Sequence, residues 1–471
     1  MVRDSGGMTA GFTVDVADVV KEFSQRVADA GGSALMVGGS VRDAALGMAS
    51  SDVDIEVHRL PLSEVLHLAS TLGTVHDVGA SFGVLKVRSR GIDMDISLPR
   101  VDSKRPEANR RGISAQVDPF LGITDAARRR DFTVNAIAFD PLTAHVFDPF
   151  DGLGDVKARR LRVVDPVTFG QDALRVFRAA QIAARFGLTV DAATADVLAS
   201  SSGQLSTVSP ERFTEELRKL LVKAPAPSVG LRLLHQAAAL EQVLAPVAAL
   251  DGVPQDGRHH PEGDALEHTF QAVDAAAIVA RRQGLDASQR FIVVCAALCH
   301  DVGKRACFDS SGDAIGHDTI GAQITEKLLR GLRVERSVSA AVVALVREHM
   351  KIHTFDLDTV SDSALRRLAR RVHPATMSAL VWLSEADIAG RAQVWSAETM
   401  SQRAQVVVER CARLQVQSAP PPDFVTGRML IAAGLRPGRQ FGSLIEQGNR
   451  LQDEGLSRQE ALSRRVSIAD R

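Results

Sequence analysis

Tyrosine is absent from this 471-residue chain, tryptophan occurs only twice, and aromatic side chains make up 4% of it. Stacking against a planar ligand must therefore fall to Phe, His, Arg or the two Trp. Cysteine is also scarce. Cys295, Cys299, Cys307 and Cys411 do not make the disulfide framework of a small secreted protein. Cys295 and Cys299 share one apolar segment at the spacing of a helix face, where a reduced thiol behaves as a small hydrophobe. No window reaches the roughly 18 uninterrupted apolar residues of a membrane span, and residues 1–7 lack a signal-peptide core. The expectation is a cytoplasmic chain with no membrane contact. A large charge excess is missing too, because the formal net charge is −1. That excludes coating nucleic acid by global electrostatics, but leaves room for a local basic face such as Arg128-Arg129-Arg130.

What is present is the balance of a globular protein, 45% apolar and 24% charged. The length exceeds one ordinary hydrophobic core, so two to four compact units are expected. Val16, Val19, Val20, Phe23 and Val27 recur at helical spacing, and Gly31-Gly32 ends that helix. Residues 34–37 read as a short buried strand, 38–40 as a turn and 41–46 as a helical turn. Val53, Ile55 and Val57 alternate with Asp52, Asp54 and Glu56, the period of a half-buried strand with acids on its other face. Residues 83–87 and 92–98 read as further strands, so the head is α/β.

From 165 onward the alternation disappears. Residues 172–186, 210–222, 229–237 and 240–249 read as helices, the last broken or kinked at Pro246. The turn-rich run 252–257 marks one boundary. The run Ser418-Ala419-Pro420-Pro421-Pro422 is a stiff linker before a short helical end. The expected units are 1–150, 151–250, 251–417 and 423–471.

The strongest chemical signal is Gly38-Gly39-Ser40-Val41-Arg42-Asp43 followed by Ser51-Asp52-Val53-Asp54-Ile55-Glu56. Small residues at a helix start let backbone N–H groups approach a triphosphate, while Asp52 and Asp54, two apart on a strand, project from one face. Such carboxylates can hold paired Mg²⁺ ions about 3.5–4 Å apart, which activate a 3′-hydroxyl and steady the leaving pyrophosphate. Asp95, on the later alternating strand, can supply a third carboxylate.

These motifs, in this order, resemble those of the bacterial-type (class II) tRNA nucleotidyltransferases of the polymerase-β superfamily, which also include A-adding enzymes and bacterial poly(A) polymerases. The resemblance continues through Arg129-Arg130-Asp131-Phe132-Thr133-Val134-Asn135-Ala136, similar to the family motif for the ribose and triphosphate of the incoming nucleotide. It extends to Asp148-Pro149-Phe150-Asp151-Gly152-Leu153-Gly154-Asp155 and Leu161-Arg162-Val163-Val164. It implies an α+β fold with a polymerase-β-like head, an all-α body and an all-α C-terminal domain. It further implies nucleotide contacts at Gly38, Gly39, Ser40, Arg42, Arg130, Asp131, Asn135 and Arg178, with CTP, ATP and tRNA as partners and no obligate protein partner.

The family selects the base with Glu-Asp-x-x-Arg, matched here by Gln171-Asp172-Ala173-Leu174-Arg175. Asp172 and Arg175, three apart and so expected on one helix face, would read the Watson–Crick edge of C or A as acceptor and donor fork. Gln171 replaces the family's Glu, which keeps an acceptor and removes a charge. The segment 99–112 resembles in position the loop that CCA-adding members use when switching from C to A.

A second pattern comprises His268, then His300-Asp301-Val302-Gly303-Lys304, His317, His349 and Asp387. It resembles the HD-superfamily metal phosphohydrolases. Neutral imidazoles and carboxylates suit a divalent transition metal. The implied ligands are His268, His300, Asp301 and Asp387, with His317 and His349 holding phosphate or a second metal. The whole chain thus looks like CCA-adding enzymes with a C-terminal HD domain, for which phosphatase and 2′,3′-cyclic phosphodiesterase activities are known. Residues 429–442 resemble a segment common near the end of these enzymes. Two alternatives stay open on sequence: a poly(A) or A-only polymerase, and an HD phosphohydrolase whose head only binds RNA.

Overall fold

The apolar run near residue 35 forms strand β1 (Ser33–Val37) and the alternating run that follows forms β2 (Val53–His58) in a computed structural model that describes residues 12–49, 53–76, 84–103, 114–356, 360–391 and 402–453. Further strands are β3 (Thr74–His76), β4 (Val84–Ser89), β5 (Ile92–Ser97), β6 (Arg100–Ser103), β7 (Ser114–Val117), β8 (Ala138–Phe139) and β9 (Val146–Phe147). Among the described residues seven of them make one mixed sheet in the order β3-β4-β5-β2-β1-β8-β9. Strands β2 and β5 run parallel, and β1 pairs antiparallel with β2. The pleat sends Ile55 and Val57 into the core, and leaves Asp54 and Glu56 on the opposite, half-buried face. Helix Asp18–Asp29 buries Val19, Val20, Phe23 and Val27, the stripe its spacing announces. It ends before Gly31, whose φ of +90° takes the chain out of the helix.

The chain divides into two compact units, residues 1–179 with 187–202, and residues 180–186 with 203–471. Within the first, β6 and β7 form a hairpin at the ends of the expected nucleotide-switching loop. Positions 104–113 of that loop lie outside the described residues. A two-residue strand, Thr189–Val190, pairs in parallel with Arg160–Leu161, a contact too short to leave a period in the sequence.

The second unit is helical among its described residues. Helices Pro210–Lys223 and Pro227–Gln236 match the expected spans closely. The expected break near Pro246 falls earlier, at Leu244, between Leu240–Val243 and Ala245–Ala248. Proline is tolerated in a first helical turn, so Pro246 starts the second piece instead of interrupting it. Helix Ala265–Arg282 packs on Met377–Gly390 and on Ala287–Cys299, whose start carries a capping box of Asp286 and Gln289. The last described segment has its own small core of Val425, Leu430, Leu444 and Leu451. No helix among the described residues is long and apolar enough to cross a membrane.

Candidate active sites

In the head, β2 and β5 pair so that Asp54 stands directly opposite Asp95, and Glu56 opposite Ser97. Parallel register partners share a face, which brings two of the three expected carboxylates side by side. Asp52 lies outside the described residues. Asp95 is half-exposed, with Lys86 Nζ 3.6 Å from its Oδ2. The turn after β1 approaches the same place. Gly38 has φ +72°, and a Cβ there would sit 3.0 Å from Arg130 Nη1 and 3.4 Å from Asp54 Oδ2. The left-handed conformation calls for glycine here, and the missing side chain leaves room for the Arg130 guanidinium beside it. Ser40 is buried, and its hydroxyl donates to the Val37 carbonyl.

Arg42, Asp131, Asn135 and Arg178 form one hydrogen-bonded chain. Arg42 donates through Nε and Nη2 to Asp43 Oδ1, and through Nη1 to Asn135 Oδ1 at 2.7 Å. Asn135 Nδ2 donates to Asp131 Oδ1 at 2.8 Å, and Arg178 Nε to Asp131 Oδ2 at 2.7 Å. Burial alone would raise the Asp131 carboxyl. The Arg178 charge, with the Asn135 and Arg178 hydrogen bonds and the Arg175 charge, outweighs it and holds the group at about 2. Asp155, absent from the expected site, is fully buried behind this chain. It accepts from Thr133 Oγ1 at 2.6 Å and from Arg160 and Arg162, so it fixes the short 3₁₀ turn Thr133–Asn135.

Asp172 and Arg175 do not share a helix face. The helix begins at Leu174, and Asp172 precedes it, accepting from the Leu174 N–H at 3.1 Å. An acid just before a helix meets backbone donors with no intrahelical partner, and that interaction displaces the helical conformation expected at 172. Arg175 spans two backbone carbonyls, Nη1 to Thr168 O at 2.9 Å and Nη2 to Arg129 O at 2.8 Å. Arg175, one of the two residues expected to read the base, is therefore joined to the Arg129-Arg130 motif through the backbone. Beside it, a cavity of about 220 Å³ is lined by Glu56, Ser97, Arg100, Arg129 and Arg130 among others. Burial works against ionisation of Glu56, but the His58 hydrogen bond and the Arg130 charge hold its carboxyl below the usual range.

In the second unit all six expected ligands are buried and converge, in two groups: His268, His300 and Asp387, and Asp301, His317 and His349. His268 Nε2 lies 3.1 Å from Asp387 Oδ1 and 3.3 Å from His300 Nε2. His317 Nε2 lies 3.2 Å from His349 Nε2. Asp301 stands between the groups, Oδ2 3.2 Å from His300 Nε2 and Oδ1 3.3 Å from His317 Nε2.

Local structure explains the convergence. His300 and His349 occupy the C-caps of Ala287–Cys299 and Arg336–Glu348, where carbonyls lack intrahelical donors. Their Nδ1 atoms face Ala297 O at 2.8 Å and Val346 O at 2.7 Å, and His317 Nδ1 faces Ala314 O at 2.7 Å. A neutral ring so held carries its proton on Nδ1 and turns the Nε2 lone pair inward, as metal ligation requires. Gly303 completes the arrangement, for a Cβ there would meet His317 O at 2.1 Å. Only the bare backbone lets the start of helix His317–Gly331 approach Asp301.

The electrostatics fit a cation site. Burial, with the His300 and His317 charges, pushes His349 down to about 3, which leaves it neutral. Against the cost of burial, Asp301 is held well below the carboxylate range by His300 and Lys304. Against its own burial, Asp387 is also held well below that range by its hydrogen bonds to His268 and His353 and by the His300 and Arg391 charges. His300 rises, because Asp301 and Asp387 overcome its desolvation.

Several neighbours escaped the sequence reading. Lys304 Nζ lies 2.6 Å from Asp301 Oδ2, His353 Nε2 2.9 Å from Asp387 Oδ2, and Arg391 Nη2 2.8 Å from Asp387 Oδ1. Glu262 Oε1 accepts from His268 Nδ1 at 2.8 Å, with His260 Nδ1 2.9 Å away. Lys304 carries a signal as the last residue of the His-Asp-x-Gly-Lys run, and Arg391 one as the residue four positions after Asp387.

Three family descriptions match successive parts of the chain: "Poly A polymerase head domain" over 34–162, "Probable RNA and SrmB- binding site of polymerase A" over 187–250, and "HD domain" over 265–380. A "Multifunctional CCA protein" of Xanthomonas campestris is 34% identical over 366 residues, 76% of this chain and 85% of that protein. One of Stenotrophomonas maltophilia is 35% identical over 367 residues, 76% and 86% of the two chains. Among solved structures, the Bacillus stearothermophilus CCA-adding enzyme in complex with CTP superposes with a TM-score of 0.64 at 20% identity, covering 93% of this chain and 94% of that one. The head, RNA-binding and HD matches thus follow one another along this chain, and the relatives match it at about a third identity over three quarters of its length. The chain belongs to the bacterial-type CCA-adding tRNA nucleotidyltransferases that carry an HD domain.

Proposed function

We propose that the chain adds C, C and A to the 3′ end of tRNA from CTP and ATP, without a nucleic-acid template, in the cytoplasm. The observation that carries this reading is the register pairing of Asp54 with Asp95 beside the Gly38 turn and Arg130. Oxygen-only donors of this kind suit Mg²⁺, so Asp52, Asp54 and Asp95 would hold it. When bound, it favours attack of the tRNA 3′-hydroxyl on the α-phosphate, with release of pyrophosphate. Gly38, Gly39, Ser40 and Arg130 would border the triphosphate. Arg42, Asp131 and Asn135, buried, and the half-exposed Arg178 form the hydrogen-bonded chain that would keep that border in shape. Asp172 and Arg175 would read the base. The working division is a head at 1–150, a neck and tRNA-contacting body at 151–250, an HD domain at 251–417 and a terminal helical segment at 423–471.

The HD site supports a second, metal-dependent phosphohydrolase activity on a phosphomonoester or a 2′,3′-cyclic phosphate. Its imidazole and carboxylate donors fit a divalent transition metal, and the two groups flanking Asp301 would hold one ion each. Lys304 and Arg391, beside Asp301 and Asp387, would supply positive charge to a bound phosphate.

The test uses tRNA ending at the discriminator base, tRNA-C and tRNA-CC, with CTP and ATP offered separately. Two C on the first, one C on the second and a single A on the third are expected. Runs of A on all three would replace this reading with a poly(A) polymerase, and no incorporation would leave the HD activity as the chain's chemistry. Hydrolysis of a 2′,3′-cyclic nucleotide across a screen of Mn²⁺, Co²⁺ and Ni²⁺ tests the second activity.

A further inference from the structure

The four histidines of the HD cluster are not held alike. His300, His317 and His349 rest their Nδ1 atoms on backbone carbonyls, which are neutral. His268 rests on Glu262, a carboxylate whose side chain is wholly buried. Glu262 Oε1 accepts from both His268 and His260, while Oε2 has no hydrogen-bond partner among the described residues. A buried carboxylate oxygen left bare is costly unless positive charge lies close by. The His268 ring is one side of that carboxylate's surroundings, and its far nitrogen opens on His300 and Asp387.

The ligands themselves do not separate the two groups so clearly. Lys304 draws on Asp301, which both groups share, and Arg391 draws on Asp387. What distinguishes one half is the carboxylate behind its histidine. A carboxylate accepting from the outer N–H of a ligating imidazole raises its basicity and fixes its orientation.

From this asymmetry we infer that the cluster fills in order: the position formed by His268, His300 and Asp387 takes its cation first and more tightly, and Glu262 is the positioning residue that makes it so. The inference rests on the metal-site reading above. The position formed by Asp301, His317 and His349 is the weaker and exchanges first.

The test is Co²⁺ titration of the tag-free full chain, followed by visible absorption of the bound ion and by competition with a chromophoric chelator. Wild type should show a tight and a weaker step. Glu262→Gln should weaken the tight step by about 10–100-fold and leave the weaker one in place. His349→Ala should do the reverse, removing the weaker step alone. Near-UV circular dichroism of the metal-free proteins checks that each variant is folded. Glu262→Asp, which keeps a carboxylate, makes the comparison if the amide does not fold, and should lie between wild type and the amide. Equal weakening of both steps by the Glu262 variants, no weakening, or a single step in wild type overturns the inference. Failure of wild type to take up any Co²⁺ overturns instead the metal reading on which it stands.

Discussion

The carbonyl oxygen of His317 lies so close to Gly303 that a Cβ on residue 303 would approach it to 2.1 Å. This contact joins the His-Asp turn to the start of helix His317–Gly331 and sets His317 against Asp301. Gly303→Ala should therefore force the two backbones apart, destabilising the chain by about 1–3 kcal/mol as overpacking does. Cation uptake at the His317 and His349 position should fall further than at the His268 position. Thermal unfolding with a Co²⁺ titration reads both effects, and an unchanged midpoint would falsify the close-approach argument.

Asp54→Asn should remove both C and A incorporation, with tRNA affinity within about threefold of wild type, because affinity rests on contacts spread over the body. The same is expected of Asp52→Asn. Single-turnover incorporation and filter binding on one preparation separate the two quantities. Near-normal turnover by Asp54→Asn would remove it from the catalytic set.

Arg175→Ala should blur the choice among CTP, ATP, UTP and GTP by about 1–3 kcal/mol, the worth of a good bidentate base contact. Because Arg175 also binds the carbonyls of Thr168 and Arg129, some loss of rate is expected alongside. Lower rates with an unaltered order of nucleotide preference would make it a bracket for the Arg129-Arg130 motif alone.

Asp131, held at about 2 in the folded head against 3.8 ordinarily, supplies a pH dependence with a definite sign. A carboxyl whose folded pKa is depressed stabilises fully above its unfolded pKa and loses that contribution as pH falls toward the folded one. Asp131→Asn should be less stable than wild type by roughly 2 kcal/mol near neutrality. The gap should close between about pH 5 and pH 2. Denaturant unfolding across that range measures it, and a gap that ignores pH would assign the loss to packing.

His300→Ala combined with Asp301→Ala should abolish cation uptake by the HD cluster and any cyclic-phosphate hydrolysis, while incorporation by Asp54 and its partners continues. Loss of both activities in a folded double variant would mean that the HD domain helps to hold the tRNA.

Much of this was legible in the sequence because the signals are local. Alternation at 53–57 announces β2 and puts Asp52 and Asp54 on one face, and a later alternating strand offers Asp95 as a third carboxylate. That Asp95 pairs with Asp54 across the sheet is a matter of register, which the sequence does not carry. The His-Asp-x-Gly-Lys run and its spaced histidines announced the second cluster. Other features depend on distances that no local pattern carries. Glu262 and His260 sit in a loop without periodicity, and they reach His268 only because helix Ala265–Arg282 starts just after them. His353 reaches Asp387 through the packing of helix Met350–Thr354 on Met377–Gly390, whereas Arg391 lies one turn beyond Asp387 at the end of the same helix. Asp172 was misplaced by two positions' worth of helix, since spacing cannot tell a residue on a helix face from one that caps its start.

Tethering three imidazoles to carbonyls near helix ends has a thermodynamic consequence. Their rotamers are ordered when the helices form, so capture of an ion requires little further loss of side-chain entropy. Such a site can be emptied by a chelator and refilled while the surrounding helices persist, unlike small zinc domains whose fold dissolves with the ion.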